Sequence, residues 1–244
     1  MRPEPELLGQ TVVVIGGSAG IGLETARRAR AEGASVILTG RDVERLQRAG
    51  KDVGARSTSA FDAMDSGALE RFFNELPAPI DHLMLTAGRP HYGRLIEMDV
   101  TQMRGALGEH LGLVVQVARH AVGKVRPGGT LLFMGGTGGR RPGVGIGGAS
   151  TVTAALPALA ANLALELAPV RVNLIAAGFV DTPLSASLLG DQLEQRRTQL
   201  RTTLPIRRVV EPADVAALAV HLMVNTALTG ATYDVDGGQQ LVGD

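Results

Sequence analysis

Five consecutive apolar or β-branched residues, Thr11–Ile15, run straight into Gly16-Gly17-Ser18-Ala19-Gly20-Ile21-Gly22, and a helix-period segment begins at once. A continuous apolar run is what a strand buried on both faces needs, and such strands belong to parallel α/β sheets. The chain must therefore leave a strand and enter a helix within a few residues. The pattern G-x-x-x-G-x-G supplies the means. Gly16 permits the tight turn, Gly20 lets backbone approach a ligand, and Gly22 lets helix and strand pack closely. The opened helix, with Ser18 and Ile21 in its approach, offers free N–H groups and the positive end of its dipole, which suits a pyrophosphate.

The rest of the chain repeats this alternation. Further strands are expected at Ser35–Thr39, Ser57–Phe61, Asp81–Thr86, Thr130–Met134, Val170–Ile175 and Thr232–Val235. Helices are expected at Gly20–Glu32, Val43–Val53, Ser66–Leu76, Thr101–Val125 (stopped by Pro127 and Gly128), Ser150–Ala168 and Pro212–Val224, with a polar helical segment over Leu184–Arg201. Strands separated by helices build βαβ units and a parallel sheet. The expectation is one doubly wound Rossmann-type α/β domain over residues 1–244. It has about seven parallel strands with helices on both faces, and a substrate-covering segment at about 184–204.

Composition narrows the function. The 24 basic and 24 acidic residues cancel, so no basic field points to nucleic acid or an anionic membrane. The absence of cysteine excludes disulfides, thiolate ligands and a cysteine nucleophile. The five histidines have no metal-ligand spacing, and no metal is assigned. The opening MRPEPELLGQ lacks the apolar core of a signal peptide, and no apolar run of about 18 residues suggests a membrane span. A cytoplasmic protein is expected.

Strand two ends in Thr39-Gly40-Arg41-Asp42, beside the place of an adenosine ribose. An acid there suits the 2′-hydroxyl of NAD, whereas arginine suits the 2′-phosphate of NADP. Arg41 therefore points to NADP(H); an ordinary surface arginine is the plain alternative. Asp62, at the same edge after strand three, is placed to accept from the adenine amino group or simply to form a turn.

Further motifs resemble the short-chain dehydrogenase/reductase family of the classical type. Gly16–Gly22 resembles its TGxxxGIG loop, and Leu85-Thr86-Ala87-Gly88 resembles its NNAG motif, with the Ala-Gly half kept. Arg171-Val172-Asn173 with Ala177-Gly178-Phe179-Val180-Asp181-Thr182 is similar to its RVN…PGxxxT segment, and Asp236-Gly237-Gly238 to its C-terminal DGG. The resemblance implies that Ala87 and Gly88 line the cofactor, with Gly178 in the segment from which Val180 and Thr182 hold the nicotinamide amide. It also implies a homodimer or homotetramer built on the two long helices. The leucine face Leu156, Leu159, Leu163, Leu167 fits that interface or the face buried on the sheet.

The family's chemistry rests on a serine and on tyrosine and lysine in Y-x-x-x-K. The tyrosine is the general acid, and the lysine cation lowers its pKa. By the resemblance these positions are Gly136, Gly147 and Thr151, and the family's helix asparagine falls at Glu109 or His110. No Tyr-x-x-x-Lys occurs anywhere, and the chain has only Tyr92, Tyr233, Lys51 and Lys124 to draw on. Three functions stay open: an oxidoreductase with a replacement proton donor, an inactive cofactor-binding or regulatory partner, and a non-redox cyclase or dehydratase. Candidate donors are His110, His91, Tyr92, Thr137 and Thr151. His110 ranks first as the acid because histidine needs no lysine to titrate near neutrality, and Tyr92 ranks as a positioning donor. The segment Gly135–Gly148 holds eight glycines in fourteen residues. It is either a mobile loop with solvated arginines or an anion site clamped by Arg140 and Arg141.

Overall fold

The computed structural model describes residues 6–242. Seven parallel strands form one sheet in the order β3-β2-β1-β4-β5-β6-β7. They are β1 Thr11–Ile15, β2 Ser35–Gly40, β3 Ser57–Ala60, β4 Ile80–Leu85, β5 Val125–Gly136, β6 Arg171–Ala177 and β7 Thr232–Val235. The helices are α1 Gly20–Ala31, α2 Val43–Val53, α3 Ser66–Glu75, α4 Val100–Ala121, α5 Gly147–Glu166, α6 Pro183–Leu189, α7 Leu193–Thr203 and α8 Pro212–Val224. Each face of the sheet has its own core. Phe73, Leu113, Val117, Leu131 and Leu156 fill one, and Val12, Val14, Leu38, Val215 and Leu222 fill the other. Because strand order reverses at β1, the exits of β1 and β4 part there and leave a crevice at the carboxyl edge, where such sheets bind ligands.

Two boundaries differ from expectation. Helix α4 stops at Ala121, not at Val125, because Gly123 turns the chain with φ +73. Pro127 and Gly128 lie inside β5, where the pairing with β4 shifts register between Ile80 and His82, an irregularity that tolerates proline. The polar segment 184–201 is two helices, parted at Gly190 with φ +51. The leucine face of α5 is also settled. Leu156 and Leu163 are buried, with Leu159 and Leu167 packed on the same core, so this face lies on the sheet. Helix α5 is long and apolar enough to cross a membrane by length and composition. Here it is a layer helix with one face in the core.

Candidate cofactor and active site

Three strand exits meet at the glycine loop. The N–H groups of Gly16 and Gly17 both donate to Thr39 O of β2, at 3.2 and 2.9 Å. Gly16 has φ +98, and a Cβ on it would stand 2.7 Å from the Ala87 backbone nitrogen. A Cβ on Gly22 would stand 2.4 Å from the Gly16 carbonyl oxygen. Only glycine fits at either position. Thr86 Oγ1 donates to Gly16 O (3.0 Å) and Ile15 O (3.2 Å), so the exit of β4 buttresses the loop. A Cβ on Gly20 would touch the Thr182 side chain at 3.4 Å, which brings the exit of β6 to the same place.

The helix that starts here is open. Asp42 and Asp65 cap α2 and α3 by accepting from their first-turn amides, whereas Ala19, the residue capping α1, supplies no side-chain bond. The first N–H groups of α1 are therefore left for a ligand, beneath a glycine-rich loop. Ile21 packs into the core, and Ser18 Oγ lies against Gly40 at the edge of β2, 2.9 Å from where a Cβ would stand. The cradle fits a dinucleotide pyrophosphate.

Arg41 and Asp62 come together at the neighbouring edges of β2 and β3. Their nearest charged atoms are 3.8 Å apart, and both side chains are exposed. Asp62 Oδ1 accepts from Met64 N at 3.0 Å, so Asp62 does form a turn, while Oδ2 faces Arg41.

At the other end, Gly88 is exposed with φ +127, and a Cβ on it would stand 2.6 Å from His110 Nδ1. His110 Nε2 donates to Met134 O at 3.2 Å. A carbonyl only accepts, so Nε2 carries the hydrogen. Burial holds the imidazole below its ordinary pKa, with the Met134 carbonyl opposing, and at neutral pH the ring is uncharged. Nδ1 then carries a lone pair, and among the described residues it has neither a protein partner nor a place among the buried unpartnered atoms. His110 thus packs against Gly88 with its Nδ1 side. The fixed carbonyl decides which nitrogen of the neutral ring is protonated. Tyr92 is 54% exposed, and burial of part of its ring pushes the hydroxyl above its ordinary 10. Its segment is tied down by His91 Nε2 to Glu109 Oε2 (3.0 Å) and by Gly93 N to Gly145 O (2.7 Å).

Gly136 ends β5, Gly147 opens α5, and Thr151 lies exposed one turn later. A Cβ on Gly147 would stand 2.7 Å from Leu95 Cδ1 and 3.0 Å from its Cγ, so Leu95 occupies the start of any side chain there. Thr137 is buried. The glycine-rich segment is packed and tied down rather than a loose loop. Thr137–Arg140 form a turn of 3-10 helix so close to α5 that a Cβ on Gly139 would lie 2.7 Å from Ala154 N. Arg140 makes a two-pronged pair with Asp234 of β7 (2.9 and 2.6 Å), and Arg141 donates to Gln239 O (2.9 Å). These ties span more than ninety residues and have no local signal in the sequence.

Gly178 has no room for a side chain, because a Cβ would lie 2.7 Å from Asp236 Cβ and 3.0 Å from its Cα. Val180 bridges to Val210, and Thr182 Oγ1 accepts from Ser185 N (3.1 Å) to cap α6. Arg197 of α7 reaches back to Asp181 at 2.6 Å, fastening the α6–α7 segment to this loop. Sequence reasoning missed Arg197, Leu95 and Thr86; only Thr86 had a signal, its place in the Leu85–Gly88 motif.

The sheet order and the crevice define a doubly wound α/β protein of the dinucleotide-binding kind. The profile of the enoyl-(acyl carrier protein) reductase family matches residues 16–240. The chain belongs to the short-chain dehydrogenase/reductase family. It is 28% identical to a short-chain dehydrogenase/reductase of Stachybotrys chlorohalonatus, over 96% of this chain and 98% of the relative. It is 28% identical to an NADP-dependent (R)-specific alcohol dehydrogenase of Lentilactobacillus kefiri, over 95% of this chain and 97% of the relative. Among solved structures, a small-chain dehydrogenase in complex with NADPH shares the fold with a TM-score of 0.81 and 27% identity, over 95% of this chain and 99% of that one.

Proposed function

We propose that this protein is an NADP(H)-dependent oxidoreductase with a non-standard active site, whose proton-transfer group is not the tyrosine of a Tyr-x-x-x-Lys pair. The cradle carries the reading: Gly16 and Gly22 admit no Cβ, and α1 begins uncapped beneath them. In this reading Gly16, Ser18, Gly20, Ile21 and Gly22 hold the pyrophosphate, Arg41 the 2′-phosphate, and Asp62 the adenine. Ala87 and Gly88 line the cofactor, and Gly178, Val180 and Thr182 hold the nicotinamide end. A bound nicotinamide would supply hydride exchange; the chain supplies orientation, exclusion of water and a place for a proton. His110 and Tyr92 are the groups offered for that proton. Residues 184–204, held to Asp181 through Arg197, cover the substrate. A cytoplasmic homodimer or homotetramer would use the solvent sides of α4 and α5, where Val115 and Leu165 are exposed.

The NADP dependence of the Lentilactobacillus relative and the NADPH in the structural neighbour support a phosphorylated cofactor. Calorimetry with NADPH and NADH tests it. A charge-assisted contact from Arg41 should make NADPH tighter on the order of 10- to 100-fold, and Arg41→Ala should level the two. Equal affinities in the unaltered protein would exclude the assignment. A second reading, a catalytically silent cofactor-binding partner protein, draws support from Leu95 standing over Gly147. A turnover screen with carbonyl and alcohol substrates separates the two.

A further inference from the structure

Resting on the reading that the loop from Gly178 to Thr182 holds the nicotinamide end of the cofactor, we infer that Gln239 is a positioning residue for that end, acting through the backbone of Phe179. The loop leaves β6 on few anchors. Gly178 N donates to Val235 O at 3.1 Å, and Asp181 N donates to Val210 O at 2.9 Å. Between them the anchor is a side chain: Phe179 N donates to Gln239 Oε1 at 2.8 Å. Gly178 permits this approach, since Gln239 Oε1 stands 2.6 Å from where a Cβ would be. A backbone N–H only donates, so the amide oxygen of Gln239, not its nitrogen, faces Phe179.

Gln239 is itself held in place. Asp236 staples the turn after β7. Its carboxylate accepts from Gly238 N (2.8 Å), Gln240 N (3.1 Å) and Gln240 Nε2 (2.9 Å), and its carbonyl accepts from Gln239 N (3.1 Å). Gln239 O accepts from Arg141 at 2.9 Å. Arg141 follows the 3-10 turn of the glycine-rich segment, so one hydrogen-bonded turn joins the segments that leave β5 and β6. Phe179 carries the connection further, because its side chain packs on Leu200, Leu204 and Val209, the small cluster that seats α7.

Without the Gln239 amide oxygen, Phe179 N loses its partner, while the bonds of Gly178 and Asp181 and the bridge from Val180 to Val210 stay. An amide left unpaired shifts its backbone toward water. The fold persists, and the loss falls on what the loop holds. The phosphate cradle follows β1 and Arg41 follows β2, away from this bond, and both keep their geometry.

Calorimetry on the full protein with two ligands tests this. One is NADPH; the other is 2′-phospho-ADP-ribose, which carries the same phosphates and adenosine but no nicotinamide. Gln239→Leu should weaken NADPH about 3- to 10-fold, the worth of one hydrogen bond, and leave 2′-phospho-ADP-ribose unchanged. Gln239→Glu, which keeps an oxygen acceptor at the same reach, should regain most of the loss. The fluorescence of bound NADPH should move toward that of free NADPH in Gln239→Leu and return in Gln239→Glu. An equal loss for both ligands overturns the inference, because it gives Gln239 a structural role alone. So does an unchanged NADPH affinity, or a Gln239→Glu variant as weak as Gln239→Leu. Each of these leaves the cofactor reading intact. An unaltered protein that binds neither ligand overturns the reading beneath it.

Discussion

Arg207 is the one non-glycine residue with positive φ among the described residues, at +56. Left-handed backbone costs an L-residue about 1–2 kcal/mol, part of which glycine returns as unfolded-chain entropy. Arg207→Gly should therefore stabilise the fold by on the order of 0.5 kcal/mol, read by urea denaturation; a loss of stability would mean that the bond from Arg207 to Thr202 O matters more than the strain. The same scale governs Gly147, the position proposed to correspond to the family's tyrosine. Restoring Gly147→Tyr with Thr151→Lys puts a Cβ against Leu95, so the pair should gain no carbonyl reduction. Adding Leu95→Ala should release it by roughly the 10²-fold that a general acid contributes. Reductase activity in the double variant would show that Leu95 moves aside at little cost.

At the level of elements, what could be read in the sequence was what is local. Helices α2 and α8 and strand β7 have the ends expected from Val43–Val53, Pro212–Val224 and Thr232–Val235, because Asp42 and Pro212 are start signals and the apolar periods are clean. The exit of α4 was misread because Pro127-Gly128 is the louder signal, while Gly123 does the work. The nucleotide cradle was legible because glycine spacing encodes backbone geometry. The reaction end was not, because its determinants are distant pairs: Leu95 with Gly147, His110 with Met134, Arg140 with Asp234. The last pair anchors the glycine-rich segment to β7, and at half exposure it should contribute less than about 1 kcal/mol. Asp234→Asn should thus shift the melting temperature by no more than about 2–4 °C. Trypsin should nonetheless cut the bond between Arg140 and Arg141 faster. Unchanged cutting would mean that the close packing of Gly139 on Ala154 holds the segment alone.

Across the whole molecule, the two edges of the sheet carry different burdens. The carboxyl edge holds the cradle and His110. The amino edge holds a buried polar cluster in which Arg171 donates to the carbonyls of Gly128, Leu222, Met223, Asn225 and Leu228, and His82 Nε2 donates to Gln10 Oε1 at 2.7 Å. His82 is 1% exposed, and burial lowers its pKa from 6.5 to about 4; Asp81 opposes the shift, and Arg171 and Arg126 add to it. The folded chain thus binds this proton less readily than the unfolded one. The stabilisation is complete above pH 6.5 and is lost as pH falls from 6.5 toward 4, by about 3 kcal/mol if the group acts alone. His110 acts in the same sense. The carboxylates of Asp214 and Asp234, held below their ordinary pKa by Arg208 and Arg140, weaken the fold only at still lower pH. Urea titrations at stepwise lower pH should therefore lose unfolding free energy well before the carboxylates protonate, and His82→Leu should flatten most of that slope. Because His82 lies at the opposite edge from the cradle, NADPH should raise the whole curve without changing its shape. A slope that survives His82→Leu would move the acid sensitivity elsewhere, with His110 the next group to replace.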